Sequence, residues 1–313
     1  MAGLIVARDG SGDHPTIQAA IDAVAGTGPV EIRVGPGRYR EVVSVPRGKP
    51  PIRLIGATGD ARDVVIVYDN AGRTLRPDGT PYGTSGSATL TAESDDFVVR
   101  DLTIENAYVR DADPAVRDQQ AVALKTEADR IELWNVRLLG HQDTVYANAP
   151  RGRIGRQYFR DCYIEGDVDF IFGSATAVFD RCAIRALDRG GYACVTAAST
   201  ADIVRFGLLV IRSRVQTDGP PGTVRLGRPW HPGGDARALG HVVIRETWLG
   251  MAIAAEPWTD MSGFSWKDAR FFEYRNTGPG AGAGDMRPQL RPSDAASFTA
   301  RTYLGDWDPI AAR

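Results

Sequence analysis

One short string keeps returning along this chain of 313 residues, and nothing else narrows its folding options so far. Alternating apolar residues lead to a small or polar residue and then to one or two more apolar positions. Phe97-Val98-Val99-Arg100-Asp101-Leu102-Thr103-Ile104 is one copy, and Ile131–Leu138, Gln157–Ile164 and Ala177–Ile184 repeat it. Leu209–Val215 and Val243–Leu249 do so more weakly. With Leu102, Val136, Cys162, Cys182, Ser213 and Thr247 as anchors, the intervals are 34, 26, 20, 31 and 34 residues. Short strands at such an irregular period, with no helix-length pattern between them, predict an all-β parallel β-helix in which each coil buries its apolar face against the next. The variable gaps then become loops of different length inserted at one corner, lining a cleft on one side. A βαβ fold requires amphipathic helices between strands, and none is present there. A β-sandwich requires hairpin signals about every 8–12 residues, and these are sparse.

Two segments lie outside the repeat. Pro15–Val24 places Ile17, Ala20, Ile21 and Val24 on one face, with Pro15 early and Gly26 just after, which predicts a helix capping the open end of the solenoid. The Gly- and Pro-rich stretch 276–292 reads as irregular surface chain, and Tyr303–Trp307 beyond it is apolar enough to dock. A single domain over residues 1–313 is expected.

Composition removes several function classes. A net charge of -2 sets up no field for nucleic acid. No run of about 18 apolar residues exists, so no membrane-spanning helix is expected. There is no Gly-x-Ser-x-Gly elbow for a serine hydrolase, and His14, His141, His231 and His241 are scattered. No His or Cys spacing suits a metal, so neither metal nor cofactor is expected.

Chemistry concentrates on Asp143 and Asp169, 26 residues apart, an interval of the size of the repeat itself. Stacked coils make such residues neighbours in space. Both sit in apolar strand contexts, where a carboxylate needs a cation or a proton. Arg228, in Leu226-Gly227-Arg228-Pro229-Trp230, can grip one of them through two hydrogen bonds. The other, beside a negative charge and partly desolvated, is pushed toward its protonated form, which pairs a nucleophile or base with a general acid. Gln120 and Gln142 supply amide donors suited to an oxyanion. Asp95, Asp96, Asp101 and Asp161 read as turn or surface residues.

Five motifs in this order carry a resemblance: Gly37-Arg38-Tyr39-Arg40-Glu41, Gln120-Ala121-Val122-Ala123-Leu124, Gly140-His141-Gln142-Asp143-Thr144, Asp169-Phe170-Ile171-Phe172-Gly173 and Leu226-Gly227-Arg228-Pro229-Trp230. Together they resemble the signature set of the pectinesterases (pectin methylesterases), over nearly the whole chain and closer to bacterial members. The resemblance implies a right-handed, single-stranded parallel β-helix, with Asp169 as nucleophile, Asp143 as general acid and then base, Gln142 and Gln120 at the oxyanion, and Arg228 as partner of the nucleophile. It implies further substrate positions at Thr89, Tyr146, Val168, Phe172, Trp230 and Met261. It also matches Cys162 and Cys182 to half-cystines bridging adjacent coils; read from the residues, they are either such a disulfide or two buried thiols. Ser174, where Asn is common, and His141, where Tyr is common, depart from the pattern. The implied partner is methyl-esterified pectin (homogalacturonan), met by a secreted monomer, although Met1–Val6 lacks the apolar core of a signal peptide. A polygalacturonase-like glycoside hydrolase and a non-catalytic carbohydrate-binding solenoid are the competing expectations.

Overall fold

The computed structural model describes residues 2–113, 115–217 and 219–311. In it the repeat becomes a column. The carbonyls of Leu102, Val136, Cys162, Cys182, Ser213 and Thr247 accept from the amides of Arg137, Tyr163, Ala183, Arg214, Trp248 and Thr277 on the following coil, at 2.8–3.0 Å. All the ladders between strands are parallel, and among the described residues they form sheets of ten, eight and seven strands that each coil visits in that order. This is a right-handed parallel β-helix, as expected.

Each strand sends alternate side chains inward. Leu54, Val99, Leu133, Phe159, Phe179, Val210 and Ile244 follow one another in register through the ten-stranded sheet, all fully or almost fully buried. The Phe159 and Phe179 rings stack at 4.5 Å. Burying one such side chain stabilises the fold by about 1.5–3 kcal/mol. The next position in the column is Glu273, 1% exposed and neutralised by Arg287 through bonds of 2.6 and 2.8 Å.

From the coil that begins at Val98 onward, the corner between the ten- and eight-stranded sheets is the same. Asp101, Asn135, Asp161, Arg181, Arg212, Glu246 and Arg275 each turn it with φ between 48° and 56°, a left-handed conformation in which a single residue bends the chain sharply. After the short connection 57–63 in an earlier coil, insertions therefore enter elsewhere. The sequence reading put them at one corner, but they enter at both edges of the seven-stranded sheet, for example at 107–123 and 230–240. The outer face of that sheet thus lies between two banks of loops.

The predicted cap is a helix, Ile17–Ala23, burying Ile17, Ala20 and Ile21. Its first amides need acceptors. Thr16 supplies one to Ala19 N, and Glu41 supplies two, to Ile17 N and Gln18 N, both at 2.9 Å. At the other end of the chain, Tyr303 and Leu304 dock with Leu290, Ala295 and Ala300 on the outer side of the ten-stranded sheet, against Tyr158, Val178 and Leu209. Among the described residues no helix is long and apolar enough to cross a membrane.

Candidate active site

Asp143 and Asp169 come from consecutive coils. The amide of Asp143 donates to the Val168 carbonyl at 3.1 Å, so the two acids lie one rung apart. Both have left-handed backbones, φ 69° and 51°, which Asp tolerates better than most residues. At Asp169 the cause is visible: between Val168↔Cys194 and Ile171↔Thr196 the strand Val168–Gly173 carries one more residue than its neighbour. Such a bulge re-aims a side chain. Phe170 fills the coil interior while Asp169 is freed to reach Arg228. Two glycines admit this path. A Cβ on Gly166 would lie 2.2 Å from the Phe170 Cβ, and one on Gly173 (φ 123°) 2.1 Å from the Ala147 carbonyl oxygen.

Arg228 sits on the strand Val224–Pro229, two strands away from Asp169. It grips both carboxylate oxygens, Nε to Oδ1 at 2.8 Å and Nη2 to Oδ2 at 2.5 Å. That bidentate pair holds Asp169, only 4% exposed, as an anion. Asp143, 7% exposed, has no such partner among the described residues. Burial first, and then the charge of Asp169, push its carboxyl well above the ordinary range, with Arg228 pulling the other way and Asp167 adding to the push. The two acids are therefore in unlike settings: a guanidinium binds the carboxylate of one, and burial beside that carboxylate favours the protonated form of the other.

Gln120 and Gln142 lie on the two coils before Asp169 and are tied together by the bond from Ala121 N to the Gln142 carbonyl, 3.1 Å. Both remain partly exposed, as donors to a ligand must be. Tyr146, Phe172 and Trp230 make one aromatic wall. The first two stack at 4.3 Å, and Trp230 meets them edge-on at 5.9 and 5.4 Å. Met261 is fixed by a tight turn to Phe264, whose ring stacks at 3.7 Å on His231, the neighbour of Trp230. Val168 is buried beneath the acids. Ser174 closes its turn by donating to Asn148 Oδ1 at 2.6 Å and accepting from Ala149 N.

One expectation changes, and of the two alternatives left open for Cys162 and Cys182 the structure has the free thiols. Thr89 has no exposed surface and its hydroxyl donates to the Glu105 carbonyl at 3.0 Å, so its side chain supports the coil under the cleft and does not face a ligand. Cys162 and Cys182 are adjacent in the stack but both free, each thiol turned to backbone carbonyls, and Cys194 is a third free, buried thiol. Asp95 and Asp96, the adjacent pair that a glycosidase reading would need, are bound instead by Arg153 and Arg130.

Sequence reasoning missed several residues at this site. Asp167, 2% exposed, lies beside His141 and Arg189. The criterion that singled out Asp169, an acid in an apolar strand, applies to it equally. Tyr192 has its ring 5.8 Å from the Arg228 guanidinium and its buried hydroxyl beside the Cys194 thiol, and no motif marked it.

A fold of this kind with paired carboxylates, an arginine and an aromatic wall fits a carbohydrate-acting hydrolase. The pectinesterase family model matches residues 3–306. Pectinesterase A of Dickeya dadantii is 35% identical, with 97% of this chain and 91% of that protein aligned, and a pectinesterase of Ralstonia solanacearum is 37% identical over 90% and 80%. Among solved structures, the pectin methylesterase PemA from Erwinia chrysanthemi superposes with a TM-score of 0.89 at 34% identity, covering 98% of both chains. A pectin methylesterase mutant in complex with a hexasaccharide does so at 0.89 and 33%, covering 99% and 98%. The chain belongs to the pectinesterase family and is a carboxylic ester hydrolase.

Proposed function

We propose that the protein hydrolyses the methyl esters of pectin, with Asp169 as nucleophile and Asp143 as acid and base. The observation carrying this assignment is the asymmetry of the pair: the guanidinium grips both oxygens of Asp169, and Asp143, buried beside that carboxylate, is pushed toward its protonated form. An Asp169 carboxylate oxygen attacks the ester carbonyl, and the amides of Gln142 and Gln120 donate to the oxyanion that develops. Asp143 gives its proton to the methoxy oxygen, methanol leaves, and the galacturonate acyl group remains on Asp169. Asp143, now a base, takes a proton from water. The hydroxide attacks the acyl carbon, releasing a free carboxylate on the polymer and restoring Asp169.

Trp230, Phe172 and Tyr146 present apolar faces to a sugar ring. The enzyme acts as a monomer outside the cell, where a polymeric plant substrate is found. Measuring methanol and new reducing ends together on esterified pectin tests the reading: methanol without reducing ends is expected, and reducing ends without methanol would assign a glycoside hydrolase instead.

A further inference from the structure

Arg228 and Tyr192 approach Asp169 from opposite ends of one strand. Ala193–Ala198 lies between the strands that carry Asp169 and Arg228. Arg228 is level with Ala197, near the end of that strand, whereas Asp169 falls between the residues paired with Cys194 and Thr196. The Arg228 side chain therefore runs back along the strand before its guanidinium meets the carboxylate. Tyr192 enters from the other end, just before the strand begins. Its ring centre lies 5.8 Å from the guanidinium carbon, within the range of a cation–π contact. Gly190 and Gly191 lead into it with φ of 85° and 129°, a path that suits glycine and few other residues. The hydroxyl end of Tyr192 is buried beside the Cys194 thiol, and only part of the residue meets solvent.

We propose that Tyr192 is a positioning residue for the reaction, its ring bracing the Arg228 guanidinium and, through it, the Asp169 carboxylate. The proposal rests on Asp169 being the nucleophile. Two parallel hydrogen bonds fix the guanidinium and the carboxylate relative to each other, but they leave the couple able to pivot as a unit. An aromatic ring against the guanidinium restricts that pivot without competing for either carboxylate oxygen. Attack on the ester needs the nucleophile held close to its reacting geometry, so a small displacement is costly in rate.

The test is a double-mutant cycle on steady-state methanol release. Tyr192→Leu, apolar but without a ring, is expected to lower kcat about 10-fold while KM changes less than about twofold. Tyr192→Phe, which restores the ring, should recover kcat to within about twofold of the parent. In the Arg228→Lys background no planar group is left to brace, so Tyr192→Leu should lower kcat there by less than about twofold. Thermal unfolding shows which variants are folded, and Tyr192→Gln, also without a ring, gives the same comparison should Tyr192→Leu not fold. An unchanged kcat in a folded ringless variant overturns the proposal. So does a rise in KM alone, which would make the ring a sugar contact, and so does an undiminished loss in the Arg228→Lys background. Asp169→Ala separates the two readings: loss of activity upholds the nucleophile, whatever the cycle shows, and retained activity removes the assignment on which the proposal rests.

Discussion

Arg228 binds both carboxylate oxygens of Asp169 although the strand Ala193–Ala198 lies between theirs. The residue level with Arg228 on that strand is Ala197, whose small side chain leaves room for the guanidinium to reach across. A Lys at this place offers a point charge without the two-pronged geometry. Arg228→Lys is therefore expected to lower kcat by roughly 100-fold with little change in KM, since the pair orients the nucleophile. Arg228→Ala, which leaves the buried Asp169 charge without a partner, should also destabilise the fold by about 3–5 kcal/mol. Steady-state methanol release and denaturant unfolding check both; equal kcat for Lys and Arg would remove the orienting role.

Asp169→Ala removes the attacking atom itself. Activity should fall by at least roughly 10⁴-fold, because the remaining amides and aromatic wall bind substrate but provide no acyl acceptor. The fold should persist, since Arg228 is one-fifth exposed and can be hydrated when its partner is lost. A folded, active variant would refute the nucleophile assignment.

Asp143 gives a stability prediction whose direction follows from proton linkage. Its ordinary value is 3.8, and the folded group lies well above it, through burial first and then Asp169. The unfolded chain thus releases a proton near 3.8 that the folded protein retains, so stability is full below that pH and declines as pH rises toward the folded value. Asp143→Asn abolishes the decline. Calorimetry should show the variant unfolding about 2 °C or more above the parent at pH 7 and no such gain at pH 3.5, while esterase activity is lost. A gain of the same size at both pH values would show that the stabilisation has nothing to do with ionisation.

How much of this was readable from residues depends on what each residue's signal is made of. The coil anchors were legible because a solenoid repeats its apolar pattern locally, so Leu102, Val136 and Cys162 announce themselves without any long-range information. The pairing of Asp143 with Asp169 in space followed from the same periodicity once acids were sought inside strands. The side of the coil taking insertions was not legible: the left-handed corner residues are Asp, Asn, Arg and Glu, and Arg or Glu with positive φ leaves no compositional trace. Thr89 shows another limit. Motif context placed it at the cleft, but whether a hydroxyl faces a ligand or the Glu105 carbonyl depends on a side-chain direction fixed by the coil above. The state of Cys162 and Cys182 was equally undetermined, because stacking brings thiols together without oxidising them.

Glu41 ties a motif residue to stability, not to catalysis. Its two oxygens take the Ile17 and Gln18 amides at the start of the capping helix, a charged acceptor at the positive end of a helix dipole. Glu41→Ala should cost about 1–2 kcal/mol and leave kcat and KM unchanged. A fall in kcat at full folding would link the cap to the cleft instead.

Trp230 lies at the edge of the aromatic wall, with Phe172 and Tyr146 packed behind it. Phe172 is 2% exposed, whereas Tyr146 and Trp230 are both partly exposed, so these two offer the wall's free apolar surface. A sugar ring laid on that surface is held equally in the ground state and the transition state, because the reacting ester sits beyond it at Asp169. Uniform binding of this kind appears in KM and not in kcat. Trp230→Ala should therefore raise KM for esterified pectin about 10-fold while kcat changes less than about threefold, and Trp230→Phe should recover most of the loss because an aromatic face is restored. The kinetics must be measured below and above KM to separate the two constants. A drop in kcat at constant KM would place the indole at the reacting ester, and the wall would then belong to the catalytic apparatus.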